Sequence, residues 1–281
     1  MNHETAKHIR ASLTPDCTNC FGLCCAALNI AASNDFAINK AAGTPCPNLQ
    51  EDFRCEIHKN LREKGFKGCT VFDCLGAGQK VSQVTFNGQS WRDHPETAEK
   101  MFRVFPVMEQ LYEMIAFIAE ALTYEVSPAL RDKLHQQLED LQSLTDMDAD
   151  RLLSLDMIMC RLPVKELLLE TSEYVRSELS SKVFAMKKGK NCRGVDWVGK
   201  NLKGKDLRTT DLRGAYLIAA DLRNTDLRGV DFIGTDLRDA NLSGANLSTS
   251  MFLTQMQINS AKGNDQTILP PHLQTPSHWM N

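Results

Sequence analysis

Hydrophobic side chains recur at every fifth residue over the carboxyl-terminal part of the chain. From Trp197 to Phe252, twelve large apolar residues keep this spacing, and from Thr210 onward the residue two positions before each of them is small or β-branched. An α-helix does not keep a period of five on one face, because its side chains repeat about every 3.6 residues. The pattern therefore predicts a chain that turns a corner every five residues and stacks into coils with each large side chain inside.

The middle of the chain changes to helical spacing. Over residues 101–122 apolar side chains recur three and four positions apart, interrupted by Pro106, which predicts a helix that either kinks at this proline or starts afresh there. A second stripe begins after Ser127-Pro128 and a third at Pro163, which suits proline at the first helical position. We expect a helical bundle or hairpin that connects the two ends of the chain, or a pair of helices that forms a dimer.

The amino-terminal region is marked by cysteine. Of ten cysteines, Cys160 and Cys192 are isolated, and the other eight cluster: Cys17, Cys20, Cys24, Cys25, Cys46, Cys55, Cys69 and Cys74. In a reducing compartment such clustered thiolates hold metal rather than form disulfides. Short spacings let neighbouring sulfurs bind one ion, so these eight are candidate metal ligands, enough for two four-coordinate sites or for one cluster and one zinc.

A glycine-rich turn follows the last of these cysteines. Residues 75–80 contain only fragments of a phosphate-binding loop, so we interpret them as the exit turn of a metal-binding domain. The next residues, 81–86, predict a short strand that Asn87-Gly88 ends.

Composition and charge narrow the class of protein. The 281 residues are 42% hydrophobic and 24% charged, which excludes collagen-like and wholly disordered chains. No run approaches about 18 apolar residues and no signal peptide is evident, so we expect a cytoplasmic protein without a membrane partner. The net charge of −3 hides an acidic middle between two mildly basic ends, which indicates solvated helix faces or a site for a basic partner. Direct binding of nucleic acid is not expected.

The five-residue pattern resembles the pentapeptide-repeat family, whose motif is A(D/N)LXX. Residues 210–214 (TDLRG) and 245–249 (ANLST) are examples. The resemblance implies a right-handed quadrilateral β-helix with four pentapeptides per coil, hence about three coils. Lys200 and Lys205 stand where the motif has a small inward residue, which predicts that the first coil is irregular or serves as a cap. Some members of this family imitate the contour and charge of DNA and act on type II topoisomerases, whereas opposite charges mostly cancel in this repeat.

The cysteine segment resembles the zinc- or iron-chelating cysteine-cluster family, in which a CxxCxxCC-like opening is followed by C-P-x-L, C-x-I-[YH] and a final pair of cysteines. The match spans residues 16–75 and departs from the pattern in the gap between Cys20 and Cys24 and in the spacing to Cys69. It implies a bound metal, with zinc as the expected cofactor and iron or an iron–sulfur cluster as the alternative. His58 is spaced for ligation, although a supporting or surface position is expected.

These patterns together predict an α+β multidomain fold. The expected parts are a cysteine-rich metal-binding domain at 1–92, an acidic helical domain at 93–186, a pentapeptide-repeat β-helix at 187–253 and a cap and tail at 254–281, in which Trp279 packs back on the stack.

The predicted function is that of a non-catalytic, metal-stabilised scaffold that binds another protein. No catalytic residue stands out in the sequence. A homodimer through the helical middle or the end of the stack remains open. The alternatives are a topoisomerase-interacting immunity or drug-resistance protein and a zinc or iron–sulfur protein for redox chemistry or metal transfer.

Overall fold

The computed structural model describes residues 3–185 and 189–280, with side chains from residue 6 onward. The chain divides into two compact units, Met1–Thr123 with Arg131–Leu167 and Tyr124–Leu130 with Leu168–Asn281. The four-part division expected from the sequence stays a prediction, and its boundary between residues 186 and 187 lies outside the described residues.

Helices account for about 43% of the structure. The α-helices are α1 His3–Ser12, α2 Leu23–Ala26, α3 Lys67–Val71, α4 Ala77–Gln79, α5 Ala98–Ala121, α6 Pro128–Thr145, α7 Ala149–Ser154, α8 Met157–Glu178 and α9 Gln255–Ser260. Short 3₁₀-helices span Cys17–Asn19, His58–Asn60, Pro95–Thr97 and Ser277–Trp279, and π-helical turns span Lys80–Thr85 and Leu179–Val183. The predicted strand over residues 81–86 is therefore wrong, because this segment is a π-helical turn.

Helix α5 supplies most of the core of the first unit. Its apolar stripe is buried along its whole length, from Met101 to Ala121. The helix continues through Pro106, so it does not start afresh there. Helices α1 and α7 pack against α5. The helical middle is confirmed, with α6 beginning at Pro128 as predicted and α8 beginning at Met157, before the predicted start.

The second unit contains the repeat stack, which we define as residues 190–268. Single residues pair in parallel with the residue twenty positions later, as Asp196 does with Tyr216. The large apolar side chains point inward, and Leu217 and Leu227 are fully buried. The five-residue register is thereby confirmed.

The predicted fold class, with a right-handed quadrilateral β-helix, is wrong: the described residues contain isolated bridges but no β-strand and no sheet. A strand needs consecutive residues that pair with the same neighbouring segment, whereas each pentapeptide pairs through one residue and then turns. After each centre from Trp197 to Leu242, the residue two positions later is left-handed, as at Gly214 (φ 62°) and Ala219 (φ 54°). This conformation ends the extended segment after one bridge.

Hydroxyl groups satisfy backbone carbonyls inside the stack. Thr235 Oγ1 donates to Leu212 O at 2.7 Å, and Thr225 Oγ1 donates to Leu202 O at 3.2 Å. Both threonines occupy the small inward position of the repeat, which explains why a β-branched residue with one hydroxyl suits it.

The ends of the stack test two further expectations. Asp206 pairs with Asp226 in the same way as later coils pair, so the expected irregularity of the first coil is wrong. At the other end, Thr254 and Gln257 form a capping box at the start of α9. Trp279 is 4% exposed and its Nε1 donates to Ala261 O at 3.0 Å, which confirms that it packs back on the stack.

Candidate functional site

Hydrogen bonds hold the first cysteine loop against the turn that follows the last cysteine of the cluster. The backbone N–H of Asp16 donates to Gln79 Oε1 at 3.0 Å, and that of Phe21 donates to Ser82 Oγ at 3.1 Å. These bonds join segments about sixty residues apart in the chain. They place the two ends of the cysteine-rich region side by side.

The sulfur atoms of Cys20 and Cys74 lie close to the backbone of Gly78. A Cβ atom at this position would stand 2.7 Å from Cys20 Sγ and 3.8 Å from Cys74 Sγ. Hydrogen bonds from the backbone at Gly78 and Gly76 reach the Cys74 thiol. The glycine-rich exit turn thus brings two predicted site residues together, and its lack of a side chain is what leaves them room.

Electrostatic interactions link the eight thiols in two sets that meet at Cys25, which also raises the pKa of Cys17 and Cys24. Burial raises the pKa of Cys20 to about 11, and the Cys74 and Cys17 thiolates add to the effect. A hydrogen bond with Cys25 and burial raise the pKa of Cys24, which also interacts with Cys20 and Cys74. We call Cys17, Cys20, Cys24 and Cys74 the first thiol group.

The other four cysteines form the second thiol group. Burial raises the pKa of Cys69 to about 12, and the thiolates of Cys25, Cys46 and Cys55 act in the same direction. The backbone holds this group together, because Cys46 N–H donates to Cys25 O at 2.9 Å and Cys55 pairs in an antiparallel bridge with Leu49.

Helix α2 carries one member of each group. Cys24 Sγ and Cys25 Sγ are 4.0 Å apart, and all ten cysteines of the chain are free. The thiols therefore lie close without being joined in disulfides.

No three Cys, His, Asp or Glu side chains within residues 3–185 and 189–280 are arranged so that they could hold a metal ion. The expectations of a cysteine-cluster metal site, zinc and iron thus lack geometric support, and the cofactor stays a prediction. His58 is exposed. Cys160 lies on α8 and Cys192 in the repeat stack.

Lys40 is a buried cation that the sequence analysis did not single out. Its side chain is 5% exposed. Four backbone carbonyl oxygens lie within hydrogen-bond distance of its Nζ and share its three N–H groups, at Ala26 (3.2 Å), Leu28 (2.5 Å), Ala41 (3.2 Å) and Thr44 (2.8 Å). One ammonium group thereby closes the loop between Cys25 and Cys46.

The same ammonium group faces the thiols. Burial lowers the pKa of Lys40, and the thiolates of Cys46, Cys25 and Cys24 counteract this effect. A positive charge beside thiols favours their ionised form. A lone lysine in a polar loop carries no pattern in the sequence, so only the folded loop reveals it.

The outer walls of the repeat stack carry aspartate–arginine pairs. Arg208 Nη2 lies 2.7 Å from Asp206 Oδ2, and Arg223 Nη2 lies 2.6 Å from Asp221 Oδ2. The Arg223 side chain lowers the pKa of Asp221 to about 2. Because each pair forms within one pentapeptide, the charges on these walls are neutralised locally.

One wall of the stack is instead covered by α8. Arg176, 2% exposed, reaches Asp211 Oδ2 at 3.4 Å and Thr209 O at 3.2 Å. Asp211 also pairs with Arg193, and the carboxylate of Asp231 receives Arg213. The sequence does not predict this contact, because Arg176 has the same local pattern as any charged residue on a helix.

Comparisons with known proteins find the repeat and a full-length relative. Residues 210–248 match the family described as Pentapeptide repeats, in eight copies. The chain is 54% identical over 281 residues, covering 99% of this chain and 100% of the relative, to the Bacillus subtilis (strain 168) protein named "Uncharacterized protein YybG". The predicted pentapeptide repeat is confirmed, whereas the resemblance of residues 16–75 to a cysteine-cluster family is not shown by these matches.

Three solved structures resemble parts of the chain. A pentapeptide repeat protein (Rfr23) from the cyanobacterium Cyanothece 51142 is 24% identical over 27% of this chain and 62% of its own, less than two thirds, with a TM-score of 0.20. A pentapeptide repeat protein, alr5209, from Nostoc Pcc 7120 is 28% identical over 30% of this chain and 69% of its own, with a TM-score of 0.16. A third, from the Arabidopsis thaliana thylakoid lumen, is 32% identical over 22% of this chain and 54% of its own, with a TM-score of 0.12.

Among the described residues, none of the helices has the length and apolar character needed to cross a membrane.

Proposed function

We propose that this chain, which belongs to the family of the Bacillus subtilis protein YybG and carries pentapeptide repeats, is a non-catalytic scaffold. It docks another protein on its repeat stack, and metal stabilises its cysteine-rich segment. The observation that carries the proposal is the build of the stack. Fully buried apolar residues fill its interior, and the charges on its outer walls are paired within single repeats. Such a surface is rigid and regular, as docking requires.

The metal part of the proposal rests on the two thiol groups. Each group offers four free sulfurs, the number that a structural zinc site uses. No three Cys, His, Asp or Glu side chains of the described residues are arranged as ligands, so metal would have to draw the sulfurs of a group together. The buried charge of Lys40 offsets part of the negative charge that four thiolates would concentrate. Zinc is the expected ion because such sites are closed and contribute their binding energy to folding.

Metal content of the full chain, purified without oxygen, tests this part. We expect about two zinc ions per chain, because eight thiolates divide into two sets of four, and a colourless product. Cys20→Ser should lower metal content or soluble yield, whereas Cys160→Ser, its matched control outside the cluster, should change neither. Absence of metal in the parent, or equal loss in both variants, contradicts a localised site.

The absorption spectrum distinguishes the iron alternative. A brown product that absorbs broadly near about 400 nm indicates an iron–sulfur cluster. The adjacent thiols of Cys24 and Cys25 favour this second candidate, a metal-cluster protein for redox chemistry or metal transfer, because two close thiols are placed for oxidation.

Crosslinking on the stack wall tests the docking part. Tyr216 is 52% exposed on a wall of the stack. A photo-crosslinking amino acid at this position should give a discrete protein adduct in cells, and Leu227→Asp in the same chain should abolish the adduct. An adduct that survives the loss of the stack, or no adduct at any exposed wall position, contradicts docking on the walls.

A topoisomerase-directed function is not favoured by any feature of the stack. It needs an elongated, net-acidic surface, whereas the wall carboxylates of Asp206 and Asp221 are paired with arginine within their own repeats. Formation of a homodimer through the helical middle stays a prediction.

A further inference from the structure

The carboxyl end of the repeat stack is covered by its own chain. The backbone N–H of Leu247 donates to Ile268 O at 2.8 Å, and that of Leu242 donates to Lys262 O at 2.7 Å. Trp279 closes this end with 4% exposure. The last coil therefore presents little free backbone or apolar interior to solvent.

The amino end of the stack is different. Trp197 and Leu207 are half-buried, whereas their counterparts one coil later, Leu217 and Leu227, are fully buried. A cavity of about 540 Å³ opens over this end. Gly189 and Lys190 reach one corner of this end, where Gly189 N–H donates to Thr209 Oγ1 at 2.8 Å and both residues line the cavity.

Two of the three lysines that line this cavity stand where later coils have small residues. Lys200 and Lys205 occupy the inward position of the repeat, and both are exposed and line the cavity. Their counterparts one coil later are Ala220 and Thr225, with 0% and 1% exposure. Lys200 Nζ lies 5.5 Å from the centroid of the Trp197 ring, so its charge lies above this aromatic side chain. We call Trp197 and Leu207 the apolar floor of the cavity. We call the surface of Trp197, Lys200, Lys205 and Leu207 the open end.

The first coil also presents free hydrogen-bond donors. In later coils the backbone N–H of the bridging residue donates to the coil before it, as Asp221 N–H does to Lys200 O at 3.0 Å. The equivalent N–H groups of Asp196, Asn201 and Asp206 have no acceptor among the residues that the structure describes. Such an edge is a template for a further segment of chain.

We propose that the open end binds an acidic segment of a partner protein that also carries apolar side chains. The apolar side chains cover Trp197 and Leu207, the carboxylates face Lys200 and Lys205, and backbone carbonyls accept hydrogen bonds from the free N–H groups. This inference rests on the proposed scaffold function and adds to the walls a second docking surface at the end of the stack, with the chemistry of the segment that binds there.

Charge selects this occupant over two others. A second copy that met this chain end to end at the same surface would bring Lys200 and Lys205 against their own counterparts, and like charges across an interface disfavour binding. A nucleic acid would match the lysines through its phosphates but would leave the apolar floor of Trp197 and Leu207 uncovered. Only an acidic segment with apolar residues satisfies both features.

Calorimetric titration of the full chain with synthetic peptides tests the proposal. The probe is a capped peptide that alternates four glutamates with four leucines, and we expect saturable binding that weakens as salt is raised. The same peptide with lysine for glutamate, and one with serine for leucine, should each bind at least about tenfold more weakly. A short DNA duplex serves as the phosphate probe.

Charge reversal at the open end is compared with reversal on the wall of the same coil. The double variant K200E/K205E should weaken binding of the glutamate–leucine peptide by about tenfold or more, whereas K203E, an exposed lysine outside the cavity, should leave it within about twofold. The melting temperature of each variant is measured so that a loss of binding is not mistaken for a loss of folding.

Several results would overturn the inference. They are equal weakening by both variants, tighter binding of DNA than of the acidic peptide, concentration-dependent dimerisation abolished by K200E/K205E, or no saturable binding of the acidic peptide. These results are independent of the metal content and the Tyr216 crosslink that test the proposed function, so the failure of one is distinguished from the failure of the other.

Discussion

Two buried cations organise their surroundings at the scale of single residues. The three N–H groups of Lys40 are shared among four backbone carbonyls beside the thiols, and Arg176 of α8 contacts Asp211. Burying a charge is costly unless it is paired or hydrogen-bonded, so each cation is tied to its position. Replacing either by an apolar residue leaves buried acceptors without donors.

Replacing Lys40 should destabilise the first unit. We expect Lys40→Met to lower the free energy of unfolding by about 3 kcal/mol, because buried carbonyls that lose their donor each cost about 1–3 kcal/mol. Urea denaturation measures the change. The control is Lys59→Met, an exposed lysine, which should be neutral. Equal stability of the Lys40 variant and the parent contradicts the role of the ammonium group in closing the loop.

Glu109 should make stability depend on pH. Burial raises its pKa from 4.5 to about 7, and neighbouring Glu113 adds to the effect. A carboxyl group with a raised pKa holds more protons in the folded state, so stability falls as pH rises from about 4.5 to 7. Glu109→Gln, which cannot ionise, should gain stability over the parent at pH 8 and gain less at pH 5. Urea unfolding at both values checks this, with exposed Glu63→Gln as control; a larger gain at the lower pH contradicts it.

At the scale of elements, the sequence predicts some features of the repeat stack and not others. The sequence predicts which side chains point inward, because a strict period of five admits one register, and Leu217 and Leu227 are buried accordingly. It does not predict the absence of strands, because inward spacing says nothing about whether neighbouring residues pair. Left-handed turn residues such as Ala219 decide that outcome. The contact of Arg176 is equally invisible in sequence, since it joins residues far apart in the chain.

A charge inside the stack should unfold it. Leu227 is fully buried, and Leu227→Asp puts an unpaired carboxylate among apolar side chains. We expect calorimetry to lose the melting transition of the second unit. Lys203→Asp introduces the same side chain at an exposed position of the stack and should melt like the parent. If the Leu227 variant also melts like the parent, the five-residue register is wrong.

The contact of α8 with the stack should depend on charge pairing. Arg176→Met should lower the free energy of unfolding by about 1–3 kcal/mol, because the buried carbonyl of Thr209 loses its donor and Asp211 keeps only Arg193 as its close partner. Combining it with Asp211→Asn should recover part of the loss, as measured by urea denaturation. Lys182→Met removes a cation from an exposed pair with Glu178 and should change little. Additive losses in the double variant contradict direct pairing.

At the scale of the whole molecule, the first unit contains the eight clustered free thiols, and the second unit contains the repeat stack with its buried apolar interior. The cysteine spacing indicates the eight candidate ligands, but not their division into two thiol groups, which depends on how residues 14–21 meet residues 79–83. Nor does it indicate Gly78, whose role exists only once Cys20 and Cys74 are folded against it. If metal holds these thiols, its binding energy belongs to the folding of the first unit alone.

The most direct test of whether metal stabilises the first unit is hydrogen–deuterium exchange of the full chain. Exchange is measured before and after a chelator removes metal under reducing conditions. We expect metal release to be accompanied by a loss of backbone amide protection over residues 17–75. Residues 212–247 of the repeat stack should keep their amide protection. Unchanged protection of residues 17–75 after metal release, or an equal loss in the stack, would contradict it.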